Sequence, residues 1–192
     1  MSPRTPQQNE EIRQQSRKQI IDAAFELFAN EGYSHTSILA IARKASVSKG
    51  LIYHYFDSKE SILVAIFDQM VQIGEEMLDF PDHFTSTDKI KQVLNQTFEF
   101  IETQPGLGRL MIRLALQPDT MSTLKPKIDE VQEAQMVQHA QILEDLGYEN
   151  PKLEAYELGA ILDGVLLGYA SQGDDYPLKE MKTKIMDDYV PS

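Results

Sequence analysis

Apolar residues recur along this chain at helical spacing, and no stretch shows sustained alternation of apolar and polar residues. The first clear run places Ile20, Ala24, Leu27 and Phe28 on one face of a helix, with polar residues opposite. A half-buried strand needs a period of two, which the chain lacks. The sequence therefore predicts an all-α fold of about nine helices.

Glycine, proline and capping residues divide this pattern into segments. We expect helices over about 17–31, 37–45, 48–55, 57–78, 88–103, 107–117, 118–147, 152–172 and 178–189. Pro126 is expected to kink the seventh of them. Low complexity is confined to residues 1–15, and there is no internal repeat. These features predict a flexible arm (1–15), a small three-helix head (16–60) and a larger helical body (61–192).

The formal net charge of −12 is unevenly distributed. Residues 1–60 carry eight basic and seven acidic side chains, whereas the remainder carries ten basic and 23 acidic ones. The average therefore conceals a mildly basic head beside an acidic body. An acidic average does not exclude nucleic-acid binding when the basic groups cluster in this way.

Several functional classes lack support in the sequence. There is no cysteine, and the four histidines have no metal-ligand spacing. No phosphate-binding glycine loop follows a strand, and no nucleophile elbow is present. No signal-peptide stretch or membrane span is found. We expect a cytoplasmic protein that is not an enzyme and needs no cofactor or metal.

The most informative segment covers residues 32–59, where two short helices are joined by a tight turn at Ser46-Val47-Ser48. This is the layout of a helix-turn-helix, whose second helix enters the major groove of DNA. Lys49, Leu51, Tyr53 and His54 are expected on the outward side of that helix. Gly50 would allow close approach to a phosphate or base edge.

The segment resembles the DNA-binding head of the tetracycline-repressor (TetR) family of bacterial regulators. The matching residues run in order over roughly 50 of 192 positions. They are Phe28, Gly32-Tyr33, Thr36-Ser37, Ile41-Ala42, Ala45, Val47-Ser48-Lys49-Gly50, Ile52-Tyr53-His54-Tyr55-Phe56, Ser58-Lys59-Glu60 and Leu63. Ser46 stands where the family usually has glycine, and a left-handed serine costs about 1 kcal/mol.

The resemblance implies a set of DNA contacts at positions that match the family motif. They are Thr36, Ser37, Arg43, Lys44, Ser46, Ser48, Lys49, Gly50, Leu51, Tyr53, His54 and Lys59. Thr36, Ser37 and Lys59 would bind phosphates, while Leu51 and His54 would read bases. Arg4, Arg13 and Arg17 could add a minor-groove arm, although a disordered, solvated tail is the better account of the first two.

The body is expected to serve dimerisation and ligand binding. One short recognition helix reads few bases, so a symmetric dimer on two half-sites is expected. The dimer interface is predicted on the helix near residues 153–169, at Leu158, Gly159, Ile161, Leu162, Val165, Leu166 and Tyr169. The family also implies a small-molecule pocket, for which the candidates are Phe98, Ile101, Met111, Leu114, Met136, His139, Leu143 and Leu162. A packed core with an exposed His139 is the alternative.

Together these features predict a DNA-binding transcriptional regulator. Its expected form is a homodimeric repressor that leaves a palindromic operator when a small effector binds. The alternative is a helical ligand-binding or protein-interaction module without DNA-binding activity. The two hypotheses differ in whether the protein has a salt-sensitive affinity for duplex DNA.

Overall fold

The computed structural model describes residues 5–115 and 118–191, apart from the side chains of residues 6, 9, 111, 112, 115 and 118–123. Over these residues it contains nine α-helices, one 3₁₀ turn and no strand, which confirms the predicted all-α class. The helices are α1 (Pro6–Glu31), α2 (Ile38–Lys44), α3 (Lys49–Tyr55), α4 (Lys59–Met77), α5 (Ser86–Thr103), α6 (Pro105–Ala115), α7 (Pro118–Asp145), α8 (Pro151–Gln172) and α9 (Leu178–Tyr189). The chain divides into two compact units, Met1–Met70 and Val71–Ser192.

Helix α1 begins well before the predicted start near residue 17. The Thr5 hydroxyl accepts from the Gln8 N–H, and the Gln8 side chain accepts from the Thr5 N–H in return. Pro6 occupies the first helical position, where its missing N–H costs nothing. This capping box starts a helix inside the segment that was expected to be a flexible arm. The helix ends at Gly32, whose φ of 93° suits glycine.

The core of the first unit comes from α1 to α4. Ile20, Ala24 and Phe28 of α1 are fully buried, and Ile41, Ile52 and Ile62 bring the other three helices into the same core. A reciprocal pair of hydrogen bonds between Ser58 and Ser61 starts α4. The helix therefore begins at Lys59, two residues after the start expected from the sequence.

The second unit is held together by a separate core formed by α5, α7, α8 and α9. Its buried members are Ile90, Leu94, Phe98, Ile101, Ile142, Leu143, Ala155, Leu158, Val165, Ile185 and Tyr189. Pro126 lies within α7, which continues on both sides of it. Gly168 has no room for a Cβ because the Tyr176 ring packs directly against it. This close approach explains one of the three glycines of α8.

Candidate nucleic-acid interface and body surfaces

The turn between α2 and α3 is a Schellman motif centred on Ser46. The N–H of Ser46 donates to Arg43 O at 3.2 Å, and the N–H of Val47 donates to Ala42 O at 3.0 Å. Ser46 has a φ of 55°, which makes it the one described non-glycine residue with positive φ. The predicted left-handed serine is therefore confirmed. The motif turns the chain sharply, so that α3 starts three residues later.

Serine side chains cap both helices of the pair. The Ser37 hydroxyl accepts from Ala40 N–H at 3.1 Å, and the Ser48 hydroxyl accepts from Leu51 N–H at the same distance. Both serines are exposed. Because each hydroxyl is used here as an acceptor, its own proton stays available to an anion. This geometry is compatible with the predicted phosphate contacts of both residues.

Thr36 does not face solvent, and the prediction that its side chain binds a phosphate is wrong. The residue is only 2% exposed, and its hydroxyl donates to Gly32 O at 2.9 Å. Its backbone N–H is also used, since it donates to Tyr33 O at 3.2 Å. Thr36 therefore fixes the α1–α2 connection instead.

Lys59 is committed to backbone acceptors on the α1–α2 connection. Its ammonium donates to Tyr33 O at 2.7 Å and to Thr36 O at 2.8 Å, and lies 4.3 Å from the centroid of the Tyr33 ring. Partial burial lowers the pKa of Lys59 from its ordinary value. An ammonium has three N–H donors, so one remains for the predicted phosphate contact.

The side chains that the sequence predicts on the outward side of α3 are exposed or half-buried there. Lys49, Gly50, Tyr53 and His54 are exposed, and Leu51 is half-buried. The Lys49 ammonium lies 5.6 Å from the centroid of the Tyr53 ring. The helix contains no acidic residue. The surface of α3 therefore presents one cation, two rings and no negative charge, which is compatible with a helix that lies against DNA.

The two basic residues at the end of α2 differ in their surroundings. Lys44 forms a salt bridge with Glu26 of α1. Arg43 is exposed and has no ion pair with a described residue. Because the charge of Lys44 is already partly compensated, Arg43 is the better placed of the two for a phosphate contact.

The predicted interface residues on α8 do not share one exposed face. Leu158 and Val165 are 4% and 1% exposed and belong to the core of their own unit, so their assignment to the interface is wrong. Ile161, Leu162, Leu166 and Tyr169 also pack against that core. Gly159 is half-buried and would accept a Cβ without any contact closer than 4 Å.

A different stripe of α8 is exposed and apolar. Its members recur at intervals of three and four residues, which keeps them on one face. The stripe consists of Leu153, Tyr156, Ala160, Gly164 and Leu167, and we call it the outer stripe of α8. Its three large side chains are 64%, 56% and 51% exposed. Because both faces of α8 are apolar, periodicity alone could not show which face packs inside the unit and which is exposed.

The predicted pocket residues have different surroundings in the described part of the chain. Phe98, Ile101, Leu114 and Leu143 are at most 4% exposed, and Leu162 packs against the core. The side chain of Met111 lies outside the described residues. Met136 and His139 line a groove of about 830 Å³ between α7 and α8, which Asp163 also borders. Burial lowers the pKa of His139 and raises that of Asp163.

In the described part of the chain, no group of three or more histidine or acidic side chains is arranged to hold a metal ion. No helix there has the length and apolar character that crossing a bilayer requires.

Comparison with known families identifies the head. Residues 20–66 match the model of the tetR family of bacterial regulatory proteins. The fatty acid metabolism regulator protein of Bacillus subtilis is 35% identical over 115 residues, which cover 59% of this chain and 58% of the relative. The regulator BetI of Klebsiella pneumoniae is 29% identical over 170 residues, covering 82% of this chain and 83% of BetI.

Solved structures extend the likeness in fold to the body. The Bacillus subtilis regulator FadR, in complex with stearoyl-CoA, superposes with a TM-score of 0.73. The superposition covers 90% of this chain and 97% of FadR at 23% sequence identity. The fold of the body is thus one that regulators of this kind adopt.

Proposed function

The chain belongs, through residues 20–66, to the tetR family of bacterial regulatory proteins, and on this premise we propose that it is a sequence-specific DNA-binding transcriptional regulator. The observation that carries the proposal is the exposed, acid-free surface of α3 behind a fully formed turn. Its α3 would enter the major groove, with Lys49 on a phosphate and His54 and Leu51 near base edges. Catalysis is no part of this function, since the relatives described above are named as regulators.

The regulator is proposed to act as a homodimer on a palindromic operator. Two α3 helices read two half-sites about one helical turn apart, which gives the specificity that a single short helix lacks. The outer stripe of α8 supports this assembly, because it leaves Leu153, Tyr156 and Leu167 exposed in the single chain. Gly164 and Ala160 between them would let the partner helix approach closely.

A small effector is proposed to release the operator by favouring a dimer that no longer fits it. The groove between α7 and α8 is the candidate entry, with His139 as a polar group near Met136. Long-chain acyl-CoA is the first ligand class to test, because the chain resembles a regulator named for fatty acid metabolism and matches the structure of FadR in complex with stearoyl-CoA. A cytoplasmic location follows from the proposed role on the chromosome.

Selection of genomic DNA fragments on the purified protein tests the DNA-binding function. A shared site with two inverted half-sites is the expected result, and its neighbouring genes would indicate the regulated process. Recovery of no site at either low or moderate salt would contradict the proposal. The protein-interaction alternative would then be the better account.

Ligand binding can be tested separately by thermal unfolding with stearoyl-CoA and with free coenzyme A. A ligand that binds the folded state raises the melting temperature by an amount that grows with the logarithm of its excess over Kd. Stabilisation by the acyl-CoA alone, with loss of the operator complex, is expected. An unchanged melting temperature with both compounds would exclude this ligand class.

A further inference from the structure

Arg17 continues the buried stripe of α1 beyond the end of the core. Ile20, Ala24 and Phe28 are fully buried on one face of this helix. Arg17 precedes Ile20 by three residues, so it projects from the same face one turn earlier. Unlike the apolar members of the stripe, Arg17 is exposed. The face that packs on the other helices of the head therefore ends in a cation.

The Arg17 side chain lies against the C-terminal end of α3. Its guanidinium carbon is 5.2 Å from the centroid of the Phe56 ring. Phe56 is the C-cap residue of α3, and its N–H donates to Ile52 O at 2.9 Å. Since Phe56 is only 4% exposed, its ring is a fixed platform for the guanidinium. Arg17 is thus held beside the helix that presents Tyr53 and His54.

The charge of Arg17 is not neutralised within the described part of the chain. Its neighbours on α1 are paired: Lys18 with Asp22 at 2.7 Å, and Arg13 with Glu10 at 4.0 Å. Arg17 forms no ion pair with any described residue, including Asp57, which directly follows Phe56. A guanidinium that is always charged and whose planar fork is held in place is well suited to a phosphate group.

We propose that Arg17 binds a phosphate of the DNA backbone beside the C-terminal end of α3, with Phe56 as its platform. This inference rests on the proposed DNA-binding function and adds a contact from outside the helix-turn-helix. The contact would fix how far α3 turns in the major groove, because it is made from α1 and lies beyond the last turn of α3. It would contribute affinity without reading sequence.

The test measures the binding of the full-length R17A variant to a fluorescein-labelled duplex recovered by the genomic selection. Fluorescence anisotropy is recorded over a series of salt concentrations. Loss of one phosphate contact per head is expected to weaken binding about tenfold and to reduce the slope of log K against log salt by about one per bound head. The variant K18A is the matched control, because Lys18 is the adjacent cation but is paired with Asp22.

The variant R17K separates the charge from the platform. It is expected to keep the salt slope of the wild type while losing part of the affinity, since an ammonium lacks the planar fork that the guanidinium presents beside Phe56. Melting curves of all three variants should agree within a few degrees, which would show that the head is folded.

The possible outcomes distinguish the two claims. If the wild-type protein binds the duplex and R17A binds it as well as K18A does, the role of Arg17 is overturned and the proposed function stands. Wild-type protein that binds no duplex would overturn both. A reduced slope for R17A alone supports the contact.

Discussion

The ammonium of Lys59, at the start of α4, donates to the carbonyl oxygen of Tyr33 at 2.7 Å and lies 4.3 Å from the centroid of the same residue's ring. A second hydrogen bond reaches Thr36 O. One cation thus fixes the connection that precedes α2. The position that the family resemblance assigned to a phosphate contact is also an internal support of the head.

Replacing Lys59 with methionine is expected to destabilise the protein. The two carbonyl groups lose a charged donor, so the free energy of unfolding should fall by about 1–2 kcal/mol at this half-buried site. Urea unfolding followed by circular dichroism measures the loss. K49M is the control, because the exposed Lys49 ammonium has a ring contact but no hydrogen bond or ion pair to a described residue. Equal stability of K59M and K49M would show that the Lys59 hydrogen bonds contribute little.

Replacing Ser46 with glycine is expected to stabilise the turn by about 1 kcal/mol, because glycine adopts a φ of 55° without strain. The melting temperature should rise for S46G and stay near the wild-type value for S46A, in which a Cβ remains. If S46A were as stabilising as S46G, the left-handed conformation would not be the source of strain. A weaker operator complex of the stabilised S46G would indicate that the serine hydroxyl contacts DNA.

Replacing Lys49 with alanine is expected to weaken operator binding. It should also reduce the slope of log K against log salt by about one per bound head. Anisotropy titrations at several salt concentrations provide both values. K44A should change less, because the Lys44 charge is already paired with Glu26. A K49A protein with the wild-type slope would remove this residue from the phosphate contacts.

Replacing Leu167 with glutamate is expected to dissociate the proposed dimer. The substitution places a charge at the C-terminal end of the outer stripe of α8, and we expect the dimer Kd to rise more than roughly tenfold. Light scattering coupled to gel filtration measures the mass. L39E is the control, because Leu39 is 48% exposed but lies on α2. Dimers that persist in L167E at low concentration would place the interface elsewhere.

His139 is expected to make the body less stable in mild acid. Burial lowers its pKa below the ordinary value of 6.5, so the unfolded chain binds more protons just below that pH. The stability that depends on neutral His139 is therefore present above pH 6.5, and it is lost as the pH falls below that value. Comparing urea unfolding at a pH above and a pH below this value should show a smaller loss for H139Q than for the wild type. The exposed His83 provides the control H83Q, for which the wild-type loss is expected.

The head was predictable because its sequence signals are local. Ser37, Ser48 and the Ser46 turn act through hydrogen bonds that span three to five residues, and such patterns can be recognised in a sequence. Lys59 was only partly understood for the opposite reason. The bonds of Lys59 span 23 and 26 residues, so its acceptors become known only once the chain is folded.

The body was predicted less well. Helix α8 is apolar on two faces, and nothing in its sequence distinguishes the inner face, with Leu158 and Val165, from the outer stripe. The start of α1 was also missed, although the Thr5–Gln8 capping box was available as a signal. The polar composition of residues 6–16 concealed it, because a solvated helix has no apolar periodicity.

The closed hydrogen bonding of the α2–α3 turn has a thermodynamic consequence for recognition. Ser37, Ser46, Ser48 and Lys59 satisfy their backbone partners within the free head. Little chain entropy then remains to be lost when the major groove is occupied, since no segment of the helix pair has to fold at that moment. The heat-capacity change of association should therefore correspond to the area of a rigid interface, without the excess that accompanies coupled folding.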